Sequence, residues 1–418
     1  MIRYKLTSPG RLDATVNLPA SKSISNRALI IYALSGGKNQ PENLSDCDDT
    51  TVIIDALRTM PEVINIKAAG TAMRFMTAYL SVTPGTHVLT GTERMQHRPI
   101  GVLVDALRRL GAQIEYAGEE GYPPLRITGG SLEGGLLEIP GNVSSQYISA
   151  LLIIAPMLKK GLTLRLLDNV ISRPYIDLTL WMMGEFGAEA KWDSADTIVV
   201  QPKPYTLRDY YIENDWSAAS YWYELLALND DPESEVRLTG LMDGSKQGDS
   251  ITRYIFSLLG IKTKLSTKKA GIPQTITLKK NGHCVKKLEY DFVNCPDLTQ
   301  TFVVVCAAMN IPFHFTGLST LKIKETDRIE ALKREMRKLG YVVKDTNGCE
   351  LSWDGERCET EETAGIDTYE DHRMALAFAP YAMKYQGVII NNPQVVSKSY
   401  PNFWDDLKAA GFEVVNIE

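Results

Sequence analysis

The sequence predicts a mixed α/β protein built from one unit repeated six times, with the more apolar helices inside. Three observations carry this. First, five segments repeat a helix pattern, a glycine turn and a β-type stretch: "LRRLGAQI", "MGEFGAEA", "FSLLGIKT", "MRKLGYVV" and "LKAAGFEV". Their glycines (Gly111, Gly187, Gly260, Gly340, Gly411) are 71 to 80 residues apart, and glycine after a helix supplies a left-handed C-cap. Second, six earlier helices open on small or polar residues and then turn apolar nearly all round, which marks burial. Third, short Val/Ile/Leu/Thr runs lie between the helices and read as strands. Six matches in register point to a repeat architecture.

Taken in order, the inner helices open at "SKSISNRALIIYAL", "AGTAMRFMTAYL", "SSQYISALLIIAP", "DWSAASYWYELLAL", "PDLTQTFVVVCAAM" and "EDHRMALAFAPYA". A sixth, degenerate copy of the outer element fits "IIDALRTMPEV", with Pro61 in the glycine's place and a shortened first unit. Strands are expected at "VNLPA", "LRITGG", "TLRLL", "TIVV" and "GVIINN".

The bulk numbers exclude several classes. At 418 residues the chain is long for one core, and two or three domains are expected. With 44% hydrophobic and 23% charged residues it is an ordinary globular composition. No apolar run reaches the ~18 residues of a membrane span, and the start lacks a signal-peptide layout, so a cytoplasmic location is expected. Cys47, Cys284, Cys295, Cys306, Cys349 and Cys358 form no CxxC or Cys/His ligand spacing, which fits reduced thiols and implies neither disulfides nor metal. A net charge of −6 argues against a nucleic-acid surface, so any charge that binds an anion must be local.

It is local. Ser21, Lys22, Ser23 and Arg27 open the first inner helix; Gly70, Thr71 and Arg74 the second; Ser144, Ser145 and Gln146 the third; Asp297 the fifth; Asp371, His372 and Arg373 the sixth. The outer helices begin in the same style, with Arg98 in "MQHRPIG", Ser172 and Tyr175 in "SRPYID", the stretch "KETDR", and Lys398 in "SKSYPNF". Helix N-termini suit phosphate and carboxylate. A serine there is also simply a good N-cap. Likewise "LKIKETDRIEAL", taken alone, reads as the solvated start of a surface helix with Thr326 as N-cap and Asp327 suiting the dipole. Cationic first turns need another cause, since Lys or Arg there opposes the dipole at a cost of ~0.3–1 kcal/mol each. Arg27, Arg74, Arg328 and Arg373 recur in such turns. A shared ligand with more than one negative group accounts for them.

At these residues the chain closely resembles the 3-phosphoshikimate 1-carboxyvinyltransferase (EPSP synthase) family of enolpyruvyl transferases. The resemblance runs through "LPASKSISNRAL", "AGTAMR", "RPIG", "VSSQ", "SRPYID", "QGD", "KETDR", "DHRMA" and "SK", in the family's order over essentially the whole chain. It implies two inside-out α/β domains, each of three βαβαββ units: residues 21–213, and residues 1–20 with 214–418. The active site is expected in the cleft between them, closing on its ligands. The implied reaction moves the enolpyruvyl group of phosphoenolpyruvate to the 5-hydroxyl of shikimate 3-phosphate and releases phosphate. A monomer is implied, acting on these two small molecules without cofactor or metal.

The resemblance also implies roles. Ser23 and Arg27 hold the shikimate carboxylate; Ser144, Ser145, Ser172 and Lys324 hold the 3-phosphate, with Tyr175 and Thr320 in the same subsite. Gln146 lies against both substrates. Arg328 and Arg373 grip the phosphoenolpyruvate carboxylate, Arg98 and Lys398 its phosphate, and Gly70 admits the anion to its backbone N–H. Asp297 and Lys22 serve the attacking hydroxyl, and Glu325 the methylene carbon. Three positions depart from the family pattern: Ala68 for a common Asn, Phe75 for a common Pro, and Thr320 for an Asn. They bear on affinity and glyphosate response and leave the charged set intact. The sister family acting on UDP-N-acetylglucosamine usually has a reactive Cys in the loop matching "TERMQHRPIG"; this loop has none. A catalytically silent phospho-ligand binder would not need Lys22, Asp297 and Glu325 together.

Overall fold

The computed structural model describes residues 2–37, 40–361 and 365–418. The chain divides into two compact units, one of residues Met1–Pro19 and Glu213–Glu418, the other of Ala20–Ile212. Each has its own hydrophobic core.

In the Ala20–Ile212 unit three inner helices are buried on nearly every side: α1 (Lys22–Leu34), α2 (Gly70–Val82) and α3 (Ser145–Ile154). The other unit has α4 (Trp216–Leu228), α5 (Thr299–Ala308) and α6 (His372–Phe378). Every residue of α5 is buried, as its "TQTFVVVCAA" run requires. By contrast the outer helix Gly101–Arg109 buries one stripe, Leu103, Val104, Ala106 and Leu107.

The sheets repeat one topology. Gly135–Pro140 feeds α3 and pairs in parallel with Leu162–Leu167, which continues antiparallel to Thr197–Val200 and then Ala190–Trp192. The same order runs through Val63–Asn65, Gly85–Thr90, Leu125–Gly129 and Gln113–Tyr116, and through Leu288–Asp291, Phe313–Thr316, Glu350–Trp353 and Lys344–Thr346. The crossover between the two parallel strands of each such sheet carries an inner helix. The first nineteen residues supply two strands of their unit: Asp13–Asn17 pairs in parallel with Glu235–Met242, and Arg3–Thr7 lies between Val388–Asn391 and Glu413–Asn416. Both units are thus α/β repeats around inner helices, the expected fold class.

The repeat glycines behave as expected: Gly111, Gly187, Gly260, Gly340 and Gly411 have φ of 101°, 81°, 83°, 85° and 94°. The degenerate copy needs a correction. Its left-handed residue is Met60 (φ 40°), the C-cap of helix Asp48–Thr59, and not Pro61. A proline ring locks φ near −65° and cannot take that conformation. The cap of the helix after "KETD" also differs: Asp327, not Thr326, accepts from Ile329 N and Glu330 N, both at 3.1 Å, and the helix is Arg328–Lys338. Lys324 and Glu325 therefore stand in a loop, outside the helix.

Candidate active site

Several of the expected residues lie at helix N-termini, while Arg98, Lys324 and Glu325 lie in loops and Lys398 ends the 3₁₀ turn Pro393–Lys398. In the Ala20–Ile212 unit, Ser21 caps α1 by accepting from Ile24 N. Arg27, one turn in, is 3% exposed. Its Nε donates to Thr179 Oγ1 (2.7 Å), its Nη1 to Ser23 O (2.8 Å), and its Nη2 to Ser149 Oγ (3.2 Å) and Tyr175 O (3.3 Å). All four acceptors are neutral, and among the described residues no carboxylate pairs with it. Burial accordingly pushes its guanidinium down to about 10. The network gathers Ser23, Arg27 and Tyr175, and the substituted Phe75 lies with its ring centroid 5.4 Å from Arg27 Cζ. Lys22 points to a partner the sequence did not single out, Asp49, at 3.3 Å.

Gly70 begins α2, and a Cβ there would lie 2.6 Å from Arg98 Nη1. The missing side chain thus lets the Arg98 guanidinium rest on the helix N-terminus, adding its positive charge to that of the helix end. Ser144 caps α3 by accepting from Gln146 N, and Gln146 Nε2 donates to Thr71 Oγ1 (3.1 Å), tying the first turns of α2 and α3 together. Ser172 precedes helix Arg173–Glu185 in a left-handed conformation (φ 53°). Strain at a non-glycine residue of this kind clusters at ligand sites.

In the other unit six of the expected residues form one connected network. Arg328, 1% exposed, donates from Nε to Asp371 Oδ2 (2.7 Å), from Nη1 to Asp297 Oδ1 (2.9 Å) and from Nη2 to Glu325 Oε2 (2.8 Å). Arg373 Nη2 donates to Asp297 Oδ2 (3.0 Å), and Lys324 Nζ lies 3.5 Å from Asp297 Oδ1. Lys398 Nζ donates to Glu325 Oε1 (2.8 Å). Burial pushes the Asp297 carboxyl up, but Arg373, Lys324 and Arg328 together outweigh it and hold the group well below the usual carboxylate range. Arg328 moves the other way. Burial lowers it, and Asp371, Glu325 and Asp297 overcome that and raise it.

The sequence reading left several supports without a role. Asp371, fully buried, both caps α6 through Arg373 N (2.9 Å) and clamps Arg328; its place in "DHRMA" was the signal. Tyr221 OH accepts from Arg373 Nη1 at 3.3 Å. Asp249 of "QGD" accepts from Ser217 Oγ, and burial raises it to about 6, opposed by Arg373 and aided by Asp297. Thr320 stands apart: among the described residues its buried hydroxyl finds no hydrogen-bond partner, and it does not join the network.

Comparison with known proteins fits this geometry. The family model described as EPSP synthase (3-phosphoshikimate 1-carboxyvinyltransferase) matches residues 6–64 and 59–407. The chain belongs to the EPSP synthase family. It is 60% identical over 413 residues to a 3-phosphoshikimate 1-carboxyvinyltransferase of Bacteroides fragilis, covering 99% of each chain. A relative of the same name from Aliivibrio fischeri is 34% identical over 432 residues, with 95% of this chain and 97% of the relative covered. A solved EPSP synthase structure from Acinetobacter baumannii shares the fold, with a TM-score of 0.79 at 21% identity over 99% of this chain and 100% of that one. Among the described residues no helix is long and apolar enough to cross a membrane.

Proposed function

We propose that this chain transfers the enolpyruvyl group of phosphoenolpyruvate to the 5-hydroxyl of shikimate 3-phosphate, as a cytoplasmic monomer, through a tetrahedral addition–elimination intermediate. The observation that supports this most strongly is the alternation of acids and cations in the series Lys398–Glu325–Arg328–Asp297–Arg373. Binding anions requires the cations alone. Two carboxylates held among them supply groups that move protons.

In this reading the 5-hydroxyl oxygen bonds to the phosphoenolpyruvate C2 and gives up its proton toward Asp297 or Lys22. The methylene carbon takes a proton on the Glu325 side, then loses one again as the C–O bond to phosphate breaks. The shikimate carboxylate supplies Arg27, beside Ser23, with the negative partner that none of the described residues provides. Ser144, Ser145, Gln146, Ser172, Tyr175, Thr320 and Lys324 receive the rest of shikimate 3-phosphate. Arg98, Gly70, Arg328, Arg373 and Lys398 receive phosphoenolpyruvate. A substrate anion that draws Arg373 and Lys324 away from Asp297 removes the charges that keep it acidic, and the base strengthens as the site fills.

The test is direct: purified protein with both substrates, phosphate release followed in time, and the organic product weighed by mass spectrometry. Phosphate release dependent on shikimate 3-phosphate supports the reading. Turnover with UDP-N-acetylglucosamine in its place, or no turnover with either, sinks it.

A further inference from the structure

Arg98 is an expected phosphate ligand that stands in a loop between helices Glu93–Gln96 and Gly101–Arg109, so what fixes it matters. The residue after it is proline, which locks φ at Pro99 and confines Arg98 itself to extended backbone. Two buried donors converge on the Pro99 carbonyl: Tyr147 OH at 2.6 Å and Arg74 Nη2 at 2.8 Å. Arg74 Nη1 also donates to Gly70 O (3.2 Å), and its Cζ lies 5.6 Å from the Tyr147 ring centroid. Tyr147 directly follows Gln146, which bonds Thr71 in the first turn of α2. The Pro99 carbonyl is therefore anchored to the first turns of both α2 and α3. Its guanidinium-bearing neighbour is left packed against Gly70.

We propose that Tyr147 is a positioning residue for Arg98: its hydroxyl holds the Pro99 carbonyl and so fixes where the Arg98 guanidinium stands over the N-terminus of α2. Tyr147 need not touch either substrate. The buried hydroxyl donates to one carbonyl in a loop whose only charged ligand is Arg98, so its effect falls on the phosphoenolpyruvate phosphate and not on shikimate 3-phosphate. This rests on the functional reading above.

Tyr147→Phe keeps the ring against Arg74 and deletes the hydroxyl alone. The expected result is a KM for phosphoenolpyruvate raised about 3–10-fold, with kcat and the KM for shikimate 3-phosphate within about twofold of the parent. A double-mutant cycle adds a readout that a merely structural role does not move: in an Arg98→Lys background, Tyr147→Phe is expected to change kcat/KM for phosphoenolpyruvate much less than in the parent. Additive effects, an unchanged KM for phosphoenolpyruvate, or equal changes in both KM values overturn the proposal. If Tyr147→Phe does not fold, Tyr147→His, whose shorter side chain withdraws the donor from the Pro99 carbonyl, is read by the same criteria. A wild-type protein that releases no phosphate from the substrate pair overturns the functional reading itself; an active wild type with an indifferent Tyr147→Phe overturns only the role of Tyr147.

Discussion

Lys398 Nζ stands 2.8 Å from Glu325 Oε1, and Arg328 Nη2 stands 2.8 Å from the other oxygen of the same carboxylate. Glu325 is thereby oriented by two cations from separate elements, a 3₁₀ turn at Pro393–Lys398 and the start of helix Arg328–Lys338. Glu325→Gln keeps the shape and one acceptor oxygen but cannot transfer a proton. Steady-state kinetics should show kcat lower by ~10²–10⁴-fold with both KM values changed far less. Wild-type turnover in this variant would remove Glu325 from the proton path.

Arg328 connects three carboxylates at almost no exposure, so its loss reaches beyond substrate binding. Sequence reasoning treats it as one arm of a fork on a ligand. In the structure its guanidinium is engaged by Asp371, Asp297 and Glu325. Arg328→Ala should leave three partly buried acids short of a counter-charge and cost ~3–5 kcal/mol of stability in addition to activity. Asp371→Ala, which strips the α6 cap as well, should fall in the same range. Thermal or urea melts of the purified variants decide it; parental midpoints would show the network to be dispensable for folding.

Arg27 makes the opposite case. Its hydrogen bonds go to neutral oxygens, and burial alone lowers its pKa to about 10. Arg27→Met fills similar space without the charge. Calorimetric titration should show shikimate 3-phosphate binding weakened by ~2–5 kcal/mol, because a buried charge-assisted contact is lost. The melting midpoint should move little, since losing hydrogen bonds and relieving an unpaired buried cation oppose each other. Equal affinity in the variant would mean that Arg27 serves the core and not the ligand.

The parts of this fold legible in the sequence are those with strong local physics. Segments opened by small or polar residues and then mostly apolar gave the inner helices, and glycines with positive φ gave the turns, because no other residue takes that conformation as easily. Met60 escaped notice since a left-handed methionine has no compositional mark. The site shows the same division. Cations in first turns violate the helix dipole and stand out. Asp49, Asp249 and Tyr221 obey every local rule, and only tertiary proximity reveals them. Arg328 was found but half understood, because a sequence cannot show that three acids from three segments converge on it.

Glu224 breaks a rule in the other direction, lying within α4 in "YWYELLAL" at 0% exposure with neither carboxylate oxygen hydrogen-bonded among the described residues. Burial raises its pKa well above the ordinary carboxyl value, favouring the neutral form in the folded chain. Glu213, raised to about 7, and Asp249, raised to about 6, are both shifted upward first by burial. For each group the native state keeps a proton that the unfolded chain releases above ~4.5, so ν(unfolded) − ν(native) is negative and stability falls as pH rises. The contribution is complete below the unfolded carboxyl pKa and is lost as pH climbs through the folded one. Each group contributes a slope of about 1.4 kcal/mol per pH unit inside its window. Urea melts from pH 5 to pH 8 should therefore show the wild type losing stability steadily. Glu224→Met should flatten that slope by one group's share and raise stability at pH 8 by ~1–3 kcal/mol, since an apolar side chain of similar length replaces an unpartnered polar one. Activity should be retained, because Glu224 belongs to neither substrate set. A variant whose stability runs parallel to the wild type across the pH range would show that Glu224 has found a partner in solution.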